Sequence, residues 1–310
     1  MQVGFVILSH NQPEQLRRLT ATLHALYNAP PIACHHDFSQ SLLDPGDYPG
    51  VRFVQPSLRT GWGKWSLVEG TLAALRLLYD QHDPDWFFLL SAADYPISRP
   101  ADVLRQLRQT EADALMDYRQ TGWDARGVFP AGGCETNYHH GSHLNLRLAR
   151  SRYLYPFIKV PRPRREPAHA FGRTLPFRLG SQNLQFHIDV PWSPYRGGFQ
   201  CYYGSQWLTA NRRVARHVLQ SSPKQEALAR WMRWRIVPDE AFFQSLLCND
   251  PQFRIDPNPR RFSDWGGGGA HPRWLREEGA EQAIARGAHF ARKFKPDAPV
   301  LDYLDTHLGP

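Results

Sequence analysis

Asp85-Trp86-Phe87-Phe88-Leu89-Leu90-Ser91-Ala92-Ala93-Asp94-Tyr95-Pro96-Ile97 contains a run of five large apolar residues, then breaks into small residues, an aspartate and a proline. A short apolar run of this kind reads as a strand buried on both faces of a parallel sheet. Small residues at its carboxyl end let a ligand approach the backbone, and that edge is where open α/β sheets bind ligands. Asp94 is sited there to hold a sugar or nucleotide hydroxyl. The plain alternative is a strand-to-loop transition closed by a turn aspartate.

Working outward, Val3 to Leu8 reads as a first strand, and Pro13 to Tyr27 as a helix with Leu16, Leu19, Leu23 and Leu26 on one face. Ile32 to His35 and Val51 to Val54 are short strands, and Ser66 to Tyr79 and Ala101 to Gln109 are helices. This β-α-β order predicts an α/β fold with a doubly wound, mostly parallel sheet and helices on both faces. Residues 116–203 lose the pattern; Pro156, Pro161, Pro163, Pro167, Pro176, Pro191 and Pro194 interrupt them. A long irregular segment in a compact protein is usually a functional loop or lid, and we read it as acceptor-side structure. Helices return at Asn211–Leu219, Lys224–Trp234, Asp239–Leu247 and near Arg273–Arg286. No repeat or clean boundary appears. The expectation is one domain over 1–310: a nucleotide-binding half (1–115), the irregular segment (116–203) and a helical C-terminal part (204–310).

The chain has 310 residues, 42% hydrophobic, with formal charge +8. That charge suits an anionic ligand. It is mostly scattered arginine, with a cluster at Arg162, Arg164 and Arg165, and scattered arginine is usually a solvated surface, which disfavours a nucleic-acid partner. No run approaches the roughly 20 apolar residues that span a bilayer. Residues Gly4 to Ser9 are too short for a secretory core and lack a basic leader. Cys34, Cys134, Cys201 and Cys248 lie far apart without zinc spacing, so free thiols in a reducing compartment are expected. Together these point to a cytoplasmic location.

Four clusters carry candidate chemistry. His10 follows the first strand and His35-His36-Asp37 ends the second; an aspartate there can accept a uracil N–H or a ribose hydroxyl, or simply close a turn. In Trp62-Gly63-Lys64-Trp65-Ser66-Leu67-Val68-Glu69, Ser66 and Glu69 have capping-box spacing, which explains both, while the tryptophans line a pocket or pack. Pro238-Asp239-Glu240-Ala241-Phe242-Phe243 puts two acids at a helix start, either for the dipole or as a general base whose pKa burial lifts. Phe290-Ala291-Arg292-Lys293-Phe294, with Arg260-Arg261 and the Gly266–Gly269 run upstream, sets cations between aromatics where they could neutralise a diphosphate; a basic surface strand is the alternative. Asp83-Pro84-Asp85 has the letters of a manganese-binding triplet but precedes the fourth strand, and Ala92-Ala93-Asp94 stands where that triplet belongs. One carboxylate is a poor divalent site, so no metal is expected.

Taken in order, these segments resemble the core-2/I-branching glycosyltransferases, which include the peptide O-xylosyltransferases. The resemblance runs from about Gly4 to Asp297 and rests on Leu90–Ile97, Gly204-Ser205-Gln206-Trp207, Pro238–Phe243 and Phe290–Phe294, with His35-His36-Asp37 and Phe262-Ser263-Asp264-Trp265. It implies a glycosyltransferase-A-type fold, a UDP-sugar donor (xylose or N-acetylglucosamine), inversion and no metal. Carried over, Glu240 resembles the catalytic base, and Lys293 the lysine on the donor diphosphate. Arg261 best matches a partner arginine, with Arg260 and Arg273 as alternatives. Asp37 with His10 resembles the uridine site, and Asp94 an acid near the donor sugar. Gln206 and Trp207 fall beside the acceptor, expected to be a carbohydrate. Gln206 replaces an aspartate of the animal xylosyltransferases, and a neutral amide is no base, which leaves that role to Glu240. Two rivals are a non-catalytic module binding anionic glycan or nucleic acid, and a glycosyltransferase acting on nucleic acid or a lipid-linked acceptor.

Overall fold

A computed structural model describes residues 1–121, 149–154, 192–266 and 271–309, with the backbone of four strands between 157 and 187. Arg165, Cys134 and the glycines at 267–269 lie outside the described residues.

The β-α-β pattern folds as its hydrophobic order dictates. Strands β1 (Val3–Ser9), β2 (Ile32–His36), β3 (Val51–Phe53) and β4 (Trp86–Ser91) are parallel, in the order β3-β2-β1-β4. Beyond β4 lie β13 (Thr209–Asn211), antiparallel to both neighbours, then β6 (Ala114–Leu115) and β14 (Ile255–Asp256). The order reverses between β1 and β4, the crevice where doubly wound sheets hold ligands.

Alternation along the strands divides the apolar residues into two cores. Phe5, Ile7, Phe88 and Leu90 enter one; Val6, Leu8, Phe87 and Leu89 enter the other. The first is covered by α1 (Pro13–Leu26), α3 (Pro100–Gln109) and two C-terminal helices introduced below; the second by α2 (Ser66–Gln81), α4 (Arg212–Leu219), α5 (Pro223–Met232) and α6 (Phe242–Cys248). Leu16, Leu19 and Leu23 of α1 are fully buried, each contributing about 2 kcal/mol. Asn211 caps α4, its side chain accepting the Val214 N–H at 3.1 Å.

A second sheet joins β5 (Asp94–Pro96), β15 (Arg261–Ser263) and β16 (Phe290–Arg292) in the order β15-β16-β5. It is backed by α7 (Glu277–Ala285) and α8 (Pro299–Leu308), the C-terminal helices over the first core. Tyr95 Oη donates to Asp305 at 2.6 Å and Arg18 pairs with Asp302 and Asp305, which fastens α8 to α1.

Several local expectations are corrected. The Ser66–Glu69 capping box does not form. Trp65 is the cap residue and offers no side-chain bond, Ser66 Oγ instead accepts the Gly61 N–H at 3.2 Å, and Glu69 faces Arg233 at 3.4 Å. Asp239 and Glu240 lie in a single 3-10 turn, Pro238–Glu240, ahead of α6 rather than inside it. The stretch read as irregular contains ordered backbone: β8 (Phe157–Arg164) pairs antiparallel with β11 (Arg178–His187), and β9 (Ala168–Ala170) with β10 (Arg173–Leu175). Pro161 and Pro163 hid β8, yet a two-stranded ribbon has edges where missing N–H donors are tolerated. The remaining short strands, β7 (Arg119–Gln120) and β12 (Tyr202–Tyr203), pair with each other.

Candidate active site

The carboxyl ends of β1, β2 and β4 meet the second sheet and the turn before α6, and the predicted residues other than Arg261 fall on a circuit around that edge. Asp37, just past β2, is 1% exposed. Its Oδ1 accepts the Ser39 N–H and hydroxyl at 3.0 and 2.6 Å. Its Oδ2 accepts the Gln40 amide at 2.6 Å and the Thr60 N–H and hydroxyl at 2.7 and 2.9 Å. Burial alone raises a carboxyl pKa, but these donors outweigh it and hold Asp37 well below the usual range. Asp37 therefore anchors the loop between β3 and α2. His35 lies beneath that loop, its Nε2 accepting the Leu58 N–H at 3.1 Å; its ring sits against Gly70, where an added Cβ would stand 3.1 Å from Nδ1.

The same loop reaches the base candidate. Gly63, at φ +67°, accepts the Val237 N–H on its carbonyl at 2.9 Å. Val237 itself has φ +56°, a left-handed conformation that is strained for a β-branched residue. It leads directly into the Pro238–Glu240 turn. The Glu240 side chain is 20% exposed; its Oε2 accepts the Tyr153 hydroxyl at 3.4 Å and lies 3.8 Å from Arg152 Nη1. Asp239 is buried, and burial followed by the charge of Glu240 lifts its pKa to about 7.

From Glu240 the circuit passes to Gly204, whose N–H donates to the Glu240 carbonyl at 2.8 Å. Glycine is required there: a Cβ would stand 2.0 Å from the Asp117 carbonyl oxygen. Gln206 is half-buried and Trp207 buried. The Arg292 guanidinium lies 4.5 Å from the Trp207 ring centroid and its Nε 3.3 Å from Asp94 Oδ1, an ion pair rather than an aligned hydrogen bond. Asp94 Oδ1 also accepts the Ser91 hydroxyl at 2.6 Å and Oδ2 the Ser91 N–H at 3.2 Å, so both oxygens of this buried carboxylate are engaged by the protein. Lys293 follows β16 across a cis peptide bond, with Nζ 4.2 Å from the Trp274 ring centroid. Burial and then Arg292 lower its pKa. His10, exposed past β1, is lowered by desolvation first and then by His36 and Lys293, against the pull of Asp37. That coupling closes the circuit between Lys293 and Asp37.

Arg261 lies behind this edge, within reach of the charges of Asp94 and Arg292. It is 7% exposed and points into the sheet packing, where its Nη2 donates to Thr209 Oγ1 at 3.2 Å and to the Leu89 and Leu208 carbonyls at 3.4 Å. Its guanidinium lies 4.8 Å from the Phe290 ring centroid and 5.5 Å from that of Phe88. Burial lowers its pKa to about 10. In this position it joins β4, β13 and β16. The two alternatives lie outside the circuit as well: Arg260 forms the turn before β15 at φ +52°, and Arg273 donates to the Gly266 carbonyl at 2.8 Å. Trp274, Tyr153 and Arg152 join the site without a motif in the sequence to mark them. Arg292 is one of the two cations that the sequence sets between the aromatics of Phe290–Phe294.

Asp83 and Asp85 lie at the opposite end of β4, paired with Arg212 and Arg216 at 2.9 to 3.1 Å. Among the described residues no group of three His, Cys, Asp or Glu is placed to hold a metal ion, and no helix is long and apolar enough to cross a membrane. Cys34, Cys201 and Cys248 are unpaired thiols.

A family profile described as Core-2/I-Branching enzyme matches residues 3–139 and 177–286. The chain is 25% identical to a beta-glucuronosyltransferase of Arabidopsis thaliana over 78% of its own length and 47% of that relative. It is 24% identical to xylosyltransferase 1 of Rattus norvegicus over 99% of its length and 35% of that relative, and 25% identical to the Homo sapiens form over 99% and 30%. It thus spans less than half of each of these relatives.

Proposed function

Because the chain belongs to the Core-2/I-Branching enzyme family, with a mostly parallel α/β sheet of the glycosyltransferase-A type, we propose that it transfers a sugar from a UDP-sugar to an acceptor hydroxyl with inversion and without a divalent ion. The printed activities of the relatives, glucuronosyl and xylosyl transfer, bring glucuronic acid into consideration beside xylose and N-acetylglucosamine. A carbohydrate acceptor is the natural partner.

The observation that carries this reading is that the Gly204–Trp207 segment meets the Glu240 turn at one end and Arg292, the neighbour of Lys293, at the other, at the sheet edge where open α/β folds bind ligands. Glu240 takes the acceptor hydroxyl's proton as that oxygen bonds to the sugar's C1. The bond from C1 to the diphosphate breaks on the opposite face, and its electron pair leaves with UDP. Lys293, with Arg292 beside it, stabilises the charge building on the diphosphate, the task a metal performs elsewhere. Asp94 is already held by Ser91 and Arg292, which suits it to orient a sugar hydroxyl better than to ligate a cation. Trp207 and Gln206 line the acceptor side. Arg261 supports the site from within the core by fixing β16, the strand that delivers Arg292 and Lys293. The proposal includes a reducing, cytoplasmic setting in which the three described thiols persist.

A UDP-release screen across UDP-sugars, run in EDTA, tests this reading. Release from at least one donor is expected. No release from any donor, or release only on adding manganese, contradicts it.

A further inference from the structure

We propose that Asp239 is a positioning residue for the base: by ionising behind Glu240 it strengthens Glu240 as a proton acceptor, so the two carboxyls operate as a coupled pair. The inference rests on the reading of Glu240 as the base.

The geometry sets these adjacent acids apart. Asp239 is 6% exposed, and among the described residues its Oδ1 is fully buried without a hydrogen-bond partner. Glu240 reaches the rim, where the Tyr153 hydroxyl and Arg152 meet its Oε2. The turn holding both is fixed at each end, by the Val237 N–H on Gly63 and by the Gly204 N–H on the Glu240 carbonyl. A buried carboxyl with one oxygen left without a donor opposes stability, and such groups concentrate where a charge is put to use.

The surroundings set the charges that act on Asp239. The turn packs against α2 and α6. From α2 the first-turn acid Glu69 is engaged by Arg233, and α6 contributes one titratable side chain, Cys248, at its far end. Tyr153, buried on the other side, is a phenol with its pKa pushed up by burial and then by Glu240. A backbone hydrogen bond within Asp239 and the charge of Arg152 pull the Asp239 pKa down, but less than burial and Glu240 push it up. Glu240 is the more exposed acid and the one with the hydroxyl and guanidinium contacts, while burial and the Glu240 charge lift Asp239 to about 7. Two like charges in one turn resist each other, and a proton arriving on Glu240 relieves that repulsion. In the transfer step the proton passes from the acceptor hydroxyl to Glu240 and then to solvent, while Asp239 keeps its charge throughout.

The test has two arms. In steady-state turnover, the wild type is expected to gain rate as pH rises through neutrality, with the pair titrating as one unit. Asp239→Asn is expected to lose that ascending limb, to run about tenfold slower at about pH 8, and to keep its KM for the donor. An unchanged limb in Asp239→Asn overturns the proposal. The second arm needs no turnover and no variant that folds well. Infrared difference spectra of the wild type should show a protonated buried carboxyl below neutrality that vanishes above it. Absence of that band overturns the proposal even where turnover is intact. Presence of the band with no donor turnover instead locates the failure in the base reading.

Discussion

Replacing Asp37 with asparagine probes the anchor of the whole site edge. The carboxylate accepts five hydrogen bonds, from Ser39 N–H and hydroxyl, Gln40, and Thr60 N–H and hydroxyl. Asparagine has almost the same shape but only one accepting oxygen, so its amide must face either the Ser39 pair or the Thr60 and Gln40 donors. At least two charge-assisted bonds are lost, each about 1.5–3 kcal/mol, and water entering the loop returns part of this. The expected net loss is about 3 kcal/mol, which at a urea slope of about 3 kcal/mol/M moves the unfolding midpoint down by about 1 M. The pH dependence has a definite sign. The folded carboxyl is held below its unfolded pKa, so its contribution is present above about pH 4 and is lost as pH falls through the folded value. The variant should lack this acid-side loss. Because Thr60 and Gly63 share one loop, turnover should fall along with stability. A midpoint within about 0.2 M of wild type would refute the anchoring argument, since it would leave the donors without an energetic role.

Three further outcomes follow from the same geometry. Gly204→Ala sets a methyl 2.0 Å from the Asp117 carbonyl and should cost about 3 kcal/mol in thermal or urea unfolding, with loss of turnover because Gly204 holds the Glu240 carbonyl. Lys293→Ala should weaken UDP binding about tenfold to a hundredfold by calorimetry, the equivalent of one charged hydrogen bond. Asp239→Asn should stabilise the protein at neutral pH. The folded pKa of about 7 lies above the unfolded value, so wild-type stability falls as pH rises from about 4 to about 7 and then levels. At about 1.36 kcal/mol per pKa unit the ceiling is about 4 kcal/mol, reduced to about 2 by the buried amide, and melting curves across that window should lose their slope.

The parts of the fold written in local pattern were legible. The Trp86–Leu90 run, the leucines of α1 and the β-α-β order each match their structural periods, and the same alternation divides the two cores. What depended on contacts distant in sequence was not legible. Arg261 follows another arginine and precedes a phenylalanine, as a surface cation would; only the register of β15 against β16 turns it between two rings. Ser66 and Glu69 have capping-box spacing, but Gly61 and Arg233 took their polar atoms. In α8, Val300, Leu301, Leu304 and Leu308 have helical spacing behind Pro299, a signal present in the sequence and passed over. Glu240, Lys293 and Trp207 could be named from motifs, whereas the loop from Thr60 to Gly63 that ties Asp37 to the Glu240 turn emerges only when backbone bonds are traced.

The most direct measurement is the turnover of Glu240→Gln beside its affinity for UDP. The account predicts a loss of about 10²–10⁴-fold in kcat, the usual contribution of a general base, with UDP bound as tightly as by wild type. Near-normal turnover in a variant that still binds UDP would contradict it, because no carboxylate would then remain at the position proposed to take the acceptor's proton.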